Sequence, residues 1–164
     1  MTWPNAARRM SDACTFCRIT RGDLDAHVVF DSDVSLAFLD HRPLFHGHCL
    51  LVPKDHVETL VDLPPALVAP FFTHAQLLAR AVEEGLQADG SFIAINNRVS
   101  QSVPHLHVHI VPRRKNDGMK GFFWPRHPYK DEVDMAAVQQ TLQKTIDQLL
   151  HGEGRSRFLV VEPK

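Results

Sequence analysis

Histidine and apolar residues alternate in one short segment, VPHLHVHIVPR, which covers residues 103–113. Successive side chains of a β-strand point to opposite faces, so a strict period of two predicts a strand with one polar and one apolar face. The polar face carries His105, His107 and His109, and the apolar face carries Leu106, Val108 and Ile110. Such a strand requires a sheet with a core behind it and an open side in front of it.

Three imidazoles on one face can serve a solvated surface, a metal ion or a substrate. A solvated strand more often carries threonine, lysine or glutamate. One ion with bonds of about 2 Å cannot gather all three histidines, because His109 lies about 14 Å from His105 along an ideal strand. A neutral imidazole can act as nucleophile, proton carrier and hydrogen-bond donor near neutral pH. We therefore expect the three histidines to meet successive atoms of one extended substrate.

The remaining composition is that of an ordinary globular chain. Its 164 residues are 44% hydrophobic and 23% charged, enough for one domain with a core. The formal net charge of −1 gives no general attraction to nucleic acid or to an anionic membrane. No apolar run approaches the roughly 20 residues that span a bilayer, and the first residues, MTWPNAARRM, lack the apolar core of a secretory signal. We expect a cytoplasmic protein with no membrane or nucleic-acid partner.

Five segments have the composition of strands. Residues 26–40 contain two strands around a turn at residues 31–33, and the others are HCLLVPK, SFIAINN and HLHVHIVPR. An amphipathic helix is predicted from Pro64 to near Gly85, a second from Val133 to about Leu150, and a short one over HVETLVDL. Strands joined by short links, with helices apart from them, predict an α+β fold with a five-stranded antiparallel sheet.

Two of the three cysteines form a C-x-x-C pair, Cys14 and Cys17, while Cys49 lies in an apolar segment. In a reducing compartment such a pair is a candidate metal half-site or redox motif. A redox pair is expected at the start of a helix after a strand, and only a polar stretch precedes this one. Two unremarkable thiols remain an alternative.

Several segments in order resemble the histidine triad (HIT) family of nucleotide hydrolases and transferases. HLHVHIV, from His105 to Val111, resembles its signature, and QSVPH before it resembles the family's Gln-Ser/Thr-Val run. RPLFHGHCLLVPKDHVETL resembles its P-x-x-x-G-H strand and P-K-x-H motif, and CTFCRI resembles the N-terminus of zinc-containing bacterial members. The resemblance implies a HIT-like fold over residues 13–152, after a flexible arm (1–12) and before a tail (153–164). It also implies a homodimer whose sheets join into one of ten strands.

The resemblance implies a nucleophilic role for the central histidine. His107 would attack the α-phosphorus of a nucleotide and form a nucleotidyl-histidine, which water then hydrolyses. The main-chain carbonyl of His105 would accept from the other ring nitrogen, His109 would donate to the leaving group or a phosphate oxygen, and His48 would flank the nucleophile. Relatives that act as phosphorylases or transferases carry glutamine at the third triad position, so His109 favours hydrolysis.

The same resemblance implies a nucleoside site beside the triad. Asp40 would bind the ribose hydroxyls, and Gln101, Ser102 and Asn96 would contact phosphate, with Asn97 as an alternative to Asn96. Apolar positions that would enclose the base are Phe16, Ile19 and Phe38, although plain core packing explains such residues too. Trp124 or Arg126 is a further candidate for reaching over a nucleotide.

Zinc-containing members hold the ion with the C-x-x-C cysteines, the histidine of P-K-x-H and the first triad histidine. The corresponding set is Cys14, Cys17, His56 and His105, which would form a closed structural Zn²⁺ site. The alternative is a metal-free member with spare thiols.

The sequence therefore predicts a hydrolase acting on a purine nucleotide, most simply adenine. A dinucleoside polyphosphate such as diadenosine tetraphosphate is the first candidate substrate, and a nucleoside phosphoramidate is the second. The alternatives are a nucleotide-binding regulatory module with incidental hydrolysis, and a nucleotidyltransferase or phosphorylase of the same family.

Overall fold

A computed structural model describes residues 12–119 and 129–151 of the chain. Two compact units divide the chain after Gly118, and each is described by itself. Trp124, Arg126, the predicted tail and nearly all of the predicted N-terminal arm lie outside the described residues. The predicted domain boundaries stay predictions.

The first unit contains one five-stranded sheet. Every neighbouring pair of strands is antiparallel, and the strand order is β1-β2-β3-β5-β4. The strands are β1 (Val28–Asp31), β2 (Ser35–Leu39), β3 (Cys49–Pro53), β4 (Gly90–Ile95) and β5 (Val108–Arg113). The predicted α+β class and five-stranded sheet are confirmed, whereas the ten-stranded sheet of a dimer stays a prediction.

A long helix, α2 (Pro65–Gly85), covers one face of this sheet. Pro65 stands at its first turn, where a missing N–H group costs little. Its buried residues recur every three to four positions, which places them on one stripe: Phe71, Ala75, Leu78 and Val82. They pack against the apolar side of the central strands, including Leu51, Val108 and Ile110. This core makes the backbone behind the triad rigid.

A short helix, α1 (Thr15–Arg21), lies on the opposite face. The sequence analysis did not predict it. Gly22 ends the helix in the left-handed region, with φ of 81°, and its N–H group bonds the Ile19 carbonyl at 3.0 Å. Phe16 and Cys17 of α1 are buried in a second apolar cluster with strand residues such as Phe38 and Leu50. The helix thereby brings the C-x-x-C pair against the sheet.

The predicted triad strand is too long by three residues. β5 begins at Val108, so His109 alone of the three histidines lies in it. The preceding backbone leaves the sheet because its N–H groups bond elsewhere: that of His105 to the Val103 carbonyl at 2.8 Å, and that of Leu106 to the Val57 carbonyl at 2.7 Å. The alternation of faces survives this change, since Leu106 still packs in the α2-side core.

The other elements follow the prediction with smaller differences. The expected helix over HVETLVDL is only a 3-10 turn, Leu60–Asp62. In the second unit, α3 (Glu132–His151) matches the predicted final helix within one residue at each end. Among the described residues, no helix is both long and apolar enough to cross a membrane.

Candidate active site and metal centre

The hydrogen bonds of His107 determine which of its ring nitrogens carries the proton. The ring is 3% exposed, and Nδ1 lies 2.7 Å from the main-chain oxygen of His105. A carbonyl oxygen can only accept, so Nδ1 must donate its hydrogen. In the neutral imidazole this leaves an unprotonated Nε2 with a free lone pair. The ring also lines the largest described cavity of the site, where a substrate could reach that nitrogen.

A chain of hydrogen bonds sets the tautomers of His48 and His109 in the same way. The N–H group of Leu44 donates to Nδ1 of His48 at 3.2 Å, so the proton of that ring is on Nε2. Nε2 of His48 lies 3.0 Å from Nδ1 of His109 and donates to it. His109 therefore carries its own hydrogen on Nε2, the nitrogen left for a ligand.

Burial keeps both of these imidazoles neutral. It lowers the pKa of His48, against the opposing effect of the nearby Asp40 carboxylate. Burial, together with the neighbouring rings of His107 and His48, lowers the pKa of His109 to about 4. Near pH 7 His109 is then a neutral N–H donor rather than an imidazolium.

Asp40 lies between the histidine chain and the cavity. Its Oδ1 accepts from the backbone N–H group of Arg42 at 2.9 Å. Its Oδ2 lies 3.6 Å from Nδ1 of His48, a contact with a neutral ring rather than an ion pair. Ligand atoms of Asp40, His48 and His109 also converge within 4.8 Å, but both nitrogens of His48 are already in hydrogen bonds. We interpret this group as a hydrogen-bonded chain and not as a metal site.

The cavity in front of the triad has a volume of about 950 Å³ and is lined by both apolar and polar side chains. Seven of the predicted site residues line it: Phe16, Ile19, Phe38, Asp40, Ser102, His107 and His109. The rings of Phe16 and Phe38 meet edge to face, with centroids 5.4 Å apart. Residues 24–27 and 41–42 also line the cavity and were not predicted as site residues, because no site motif marks these positions.

Most of the predicted phosphate contacts in the loop before the triad form hydrogen bonds with the protein itself. The side-chain oxygen of Asn97 is in a hydrogen bond with the backbone, since it accepts from the N–H group of Leu60 at 2.9 Å. Asn96 donates to the Ser100 carbonyl at 3.3 Å. Gln101 donates to the Glu58 carbonyl at 2.6 Å and does not line the cavity. Of these predicted phosphate contacts, Ser102 alone lines the described cavity.

A second group of side chains has the donors of a metal site. One ligand atom from each of Cys14, Cys17, His56 and His105 lies within 4.8 Å of the other three. Sulfur-to-nitrogen distances are 3.4 Å for Cys14 and His105, 3.3 Å for Cys17 and His56, and 3.6 Å for Cys17 and His105. Tetrahedral Zn²⁺ with bonds of about 2.3 Å to sulfur and 2.0 Å to nitrogen places these atoms about 3.5 Å apart. The donor set therefore fits a closed, four-coordinate zinc site.

A hydrogen bond at Nε2 orients His105 so that Nδ1 can bind a metal. Its Nε2 donates to the Pro53 carbonyl at 2.9 Å, which leaves the lone pair of Nδ1 facing the two thiols. Burial lowers the pKa of His105 to about 4, so the ring is neutral and can coordinate. Cys49 lies outside this group, and burial raises the pKa of its thiol to about 11.

Comparison with known proteins identifies the family. The model of the HIT domain family matches residues 21–116, more than half of the chain. A curated relative, Protein hit of Bacillus subtilis, is 33% identical over 141 residues, which are 83% of this chain and 96% of the relative. The chain belongs to the HIT family.

Other relatives carry the names of enzymes. Adenosine 5′-monophosphoramidase hnt1 of Schizosaccharomyces pombe is 30% identical over 80% of this chain and 98% of its own length. The asymmetrical bis(5′-nucleosyl)-tetraphosphatase of the same yeast is 32% identical over 71% and 65%. Adenylylsulfatase HINT3 of Arabidopsis thaliana is 34% identical over 66% of this chain, which spans only 56% of that relative.

Solved structures give the same fold. SMU.412c from Streptococcus mutans superposes with a TM-score of 0.76 at 34% identity, over 86% of this chain and 89% of that one. A zinc-bound histidine triad family protein from Mycobacterium smegmatis superposes with a TM-score of 0.63 at 39% identity, over 80% and 97%.

Proposed function

We propose that this HIT-family enzyme is a nucleotide hydrolase that cleaves at the α-phosphate through a nucleotidyl-histidine on His107. The observation that carries the proposal is the 2.7 Å hydrogen bond from Nδ1 of His107 to the His105 carbonyl. It leaves Nε2 unprotonated, as a nucleophile requires. Three relatives are named as enzymes that cleave adenylyl compounds or dinucleoside polyphosphates, which supports the hydrolase class.

The reaction takes two displacements. Nε2 of His107 attacks the α-phosphorus, so a nitrogen–phosphorus bond forms as the bond to the leaving group breaks. Nε2–H of His109 donates a hydrogen bond to the leaving group or to a phosphate oxygen. Water then attacks the same phosphorus and frees His107. One proton of that water ends on the departed group, and its oxygen stays on the nucleoside monophosphate.

The lining of the cavity supports a nucleotide substrate, and we propose a purine nucleotide. The base would lie between Phe16, Ile19 and Phe38, and the ribose hydroxyls would donate to Asp40. Ser102 and Asn96 would contact the phosphate. A dinucleoside polyphosphate or an adenosine phosphoramidate fits this arrangement, because both place a leaving group beyond the α-phosphorus.

The zinc site serves a structural role in this proposal. Bound Zn²⁺ would be held by Cys14, Cys17, His56 and His105 and would cross-link α1 to the segment before β5. With four protein ligands, the site leaves no coordination position for a substrate. His105 would be held from two sides, by the ion at Nδ1 and by the Pro53 carbonyl at Nε2.

Strand β4, an edge strand among the described residues, supports a homodimer. β4 is the last strand in the order, and its Ile93 is 42% exposed. Ile93 pairs with Ile110 and so stands on the same side as α2, where Val68 and Phe72 are 39% and 37% exposed. Pairing of two β4 edges would bury this apolar surface. We expect sedimentation equilibrium to give a dimer for the natural chain and a monomer for Ile93→Glu; a natural chain that stays monomeric at micromolar concentration contradicts the dimer.

A panel of substrates tests the function. Purified protein should release adenosine 5′-monophosphate from diadenosine tetraphosphate, from adenosine phosphoramidate or from both, and the ratio of kcat/KM identifies the leaving group it serves. Binding without turnover of any panel member would favour the regulatory module. Transfer of the nucleotidyl group to added phosphate in preference to water would favour a phosphorylase.

A further inference from the structure

Gln101 joins three separate backbone segments through one side-chain amide. Its Nε2 donates to the Glu58 carbonyl at 2.6 Å and, more weakly, to the His105 carbonyl at 3.4 Å. Its Oε1 accepts from the N–H group of Arg98 at 2.7 Å. Both ends of the amide are therefore occupied by the protein, and the cavity is lined by the next residue, Ser102.

Gln101 and His107 both donate to the carbonyl oxygen of His105. One lone pair of this oxygen accepts from Nδ1 of His107 at 2.7 Å, and the other faces the Gln101 amide. The same peptide group is held at its other end, since the N–H group of Leu106 bonds the Val57 carbonyl at 2.7 Å. The peptide group between His105 and Leu106 is thus tied to residues 57–58 twice, directly through its N–H group and through Gln101 at its carbonyl.

We propose that Gln101 is a positioning residue for His107: it holds the His105 carbonyl that keeps the His107 proton on Nδ1. The inference rests on the proposed nucleophilic role of His107. If the His105 carbonyl turns away, the ring of His107 loses the acceptor that selects its tautomer. A proton on Nε2 would then face the substrate, and that nitrogen could not attack phosphorus.

Asn97 provides a matched control for this proposal. Asn97 lies in the same loop as Gln101. It ties this loop to the segment that also contains Glu58, because its Oδ1 accepts from the N–H group of Leu60. Its hydrogen bond does not involve the His105 carbonyl. A substitution at either Gln101 or Asn97 should loosen the loop in general, whereas only a substitution at Gln101 should change the His107 tautomer.

The test compares Gln101→Glu with Asn97→Ala in the full chain loaded with zinc. Glutamate keeps the size and the acceptor but replaces the donor with a charged oxygen facing two carbonyls. Nitrogen-15 NMR of labelled histidine should show His107 protonated on Nδ1 in the natural chain and in Asn97→Ala, and a mixture of tautomers in Gln101→Glu. For Gln101→Glu we also expect kcat to fall between about 10- and 100-fold, since small misplacements of a nucleophile have effects of this size. Its Kd for adenosine 5′-monophosphate should stay within about threefold.

Three results would overturn the proposal. A large rise in the Kd of Gln101→Glu with an unchanged His107 tautomer would make Gln101 a phosphate ligand. An unchanged tautomer with unchanged kcat would make its role structural only, and equal tautomer mixing in Asn97→Ala would remove the specific link to His105. Because the NMR signal is read without substrate, it tests positioning even if the natural chain hydrolyses no nucleotide of the panel.

Discussion

At the scale of single residues, the chemistry of the candidate site depends on which ring nitrogen of each histidine carries the proton. His107, His109 and His48 each have one ring nitrogen assigned by a partner that can only donate or only accept. The outcome is an unprotonated Nε2 on His107 beside a protonated Nε2 on His109. An imidazole lone pair and an imidazole N–H donor thus line one cavity.

Asp40 offers a prediction at this scale. Asp40→Ala should raise KM with a modest change in kcat, because a ribose contact made in both ground and transition states is lost. It should also narrow the preference for ribo- over deoxyribonucleotides. Steady-state kinetics on a matched ribo and deoxyribo pair measure both effects.

Asp40→Asn is the control for this change. The amide keeps an oxygen that can accept from a hydroxyl, so part of the sugar preference should remain. An Asp40→Ala enzyme with unchanged KM and unchanged sugar preference would remove the ribose from this part of the cavity.

Residue types and their order were sufficient to predict seven residues that line the cavity and the four that form the candidate metal group, and the reason differs from residue to residue. The convergence of Cys14, Cys17, His56 and His105 followed from matching short motifs, since each motif already contains the ligand. The bonds of Gln101 could not be predicted, because its partners are backbone groups with no sequence signature. The pocket residues at positions 24–27 were missed for a similar reason: no site motif marks them.

At the scale of elements, competition between hydrogen bonds explains the main error of the sequence analysis. Alternation alone predicts a strand through His105, but the Val57 carbonyl takes the N–H group of Leu106 outside the sheet. That departure lets His105 turn its ring toward the cysteines of α1 while His107 and His109 keep their rings 4.9 Å apart over the cavity. One segment thereby serves the metal centre and the active site.

Zinc should link these elements in a measurable way. Protein purified without added metal should contain close to one zinc per chain, and chelation should lower the Tm more than it blocks turnover, since a closed site stabilises the fold. Cys14→Ser should lose most of the metal, whereas Cys49→Ala, which changes a cysteine outside the ligand group, should retain it. Elemental analysis and thermal unfolding are the measurements.

A catalytic role for the metal would give a different experimental result. If folded, metal-free protein were inactive and regained activity in proportion to the zinc added, the ion would take part in the chemistry. The structural role proposed for it would then be wrong.

At the scale of the whole first unit, the two faces of the sheet differ: one packs the main core and the other carries the candidate sites. The α2 side holds the large apolar core, and the α1 side carries the candidate metal ligands, the cavity described above and the triad. The candidate site residues therefore stand on strands and loops whose opposite side packs against the core. This division explains how His48, His107 and His109 keep fixed tautomers beside a cavity.

The central claim is that the reaction passes through a covalent bond between His107 and the α-phosphorus, and stereochemistry at that phosphorus tests it most directly. Each in-line displacement inverts the configuration, so two displacements restore it. The substrate is an α-thiophosphate analogue of the panel member that is turned over, with one configuration at phosphorus, hydrolysed in water labelled with oxygen-18. We expect net retention of configuration in the thiophosphate product; net inversion would show a single direct attack by water and would contradict the covalent mechanism.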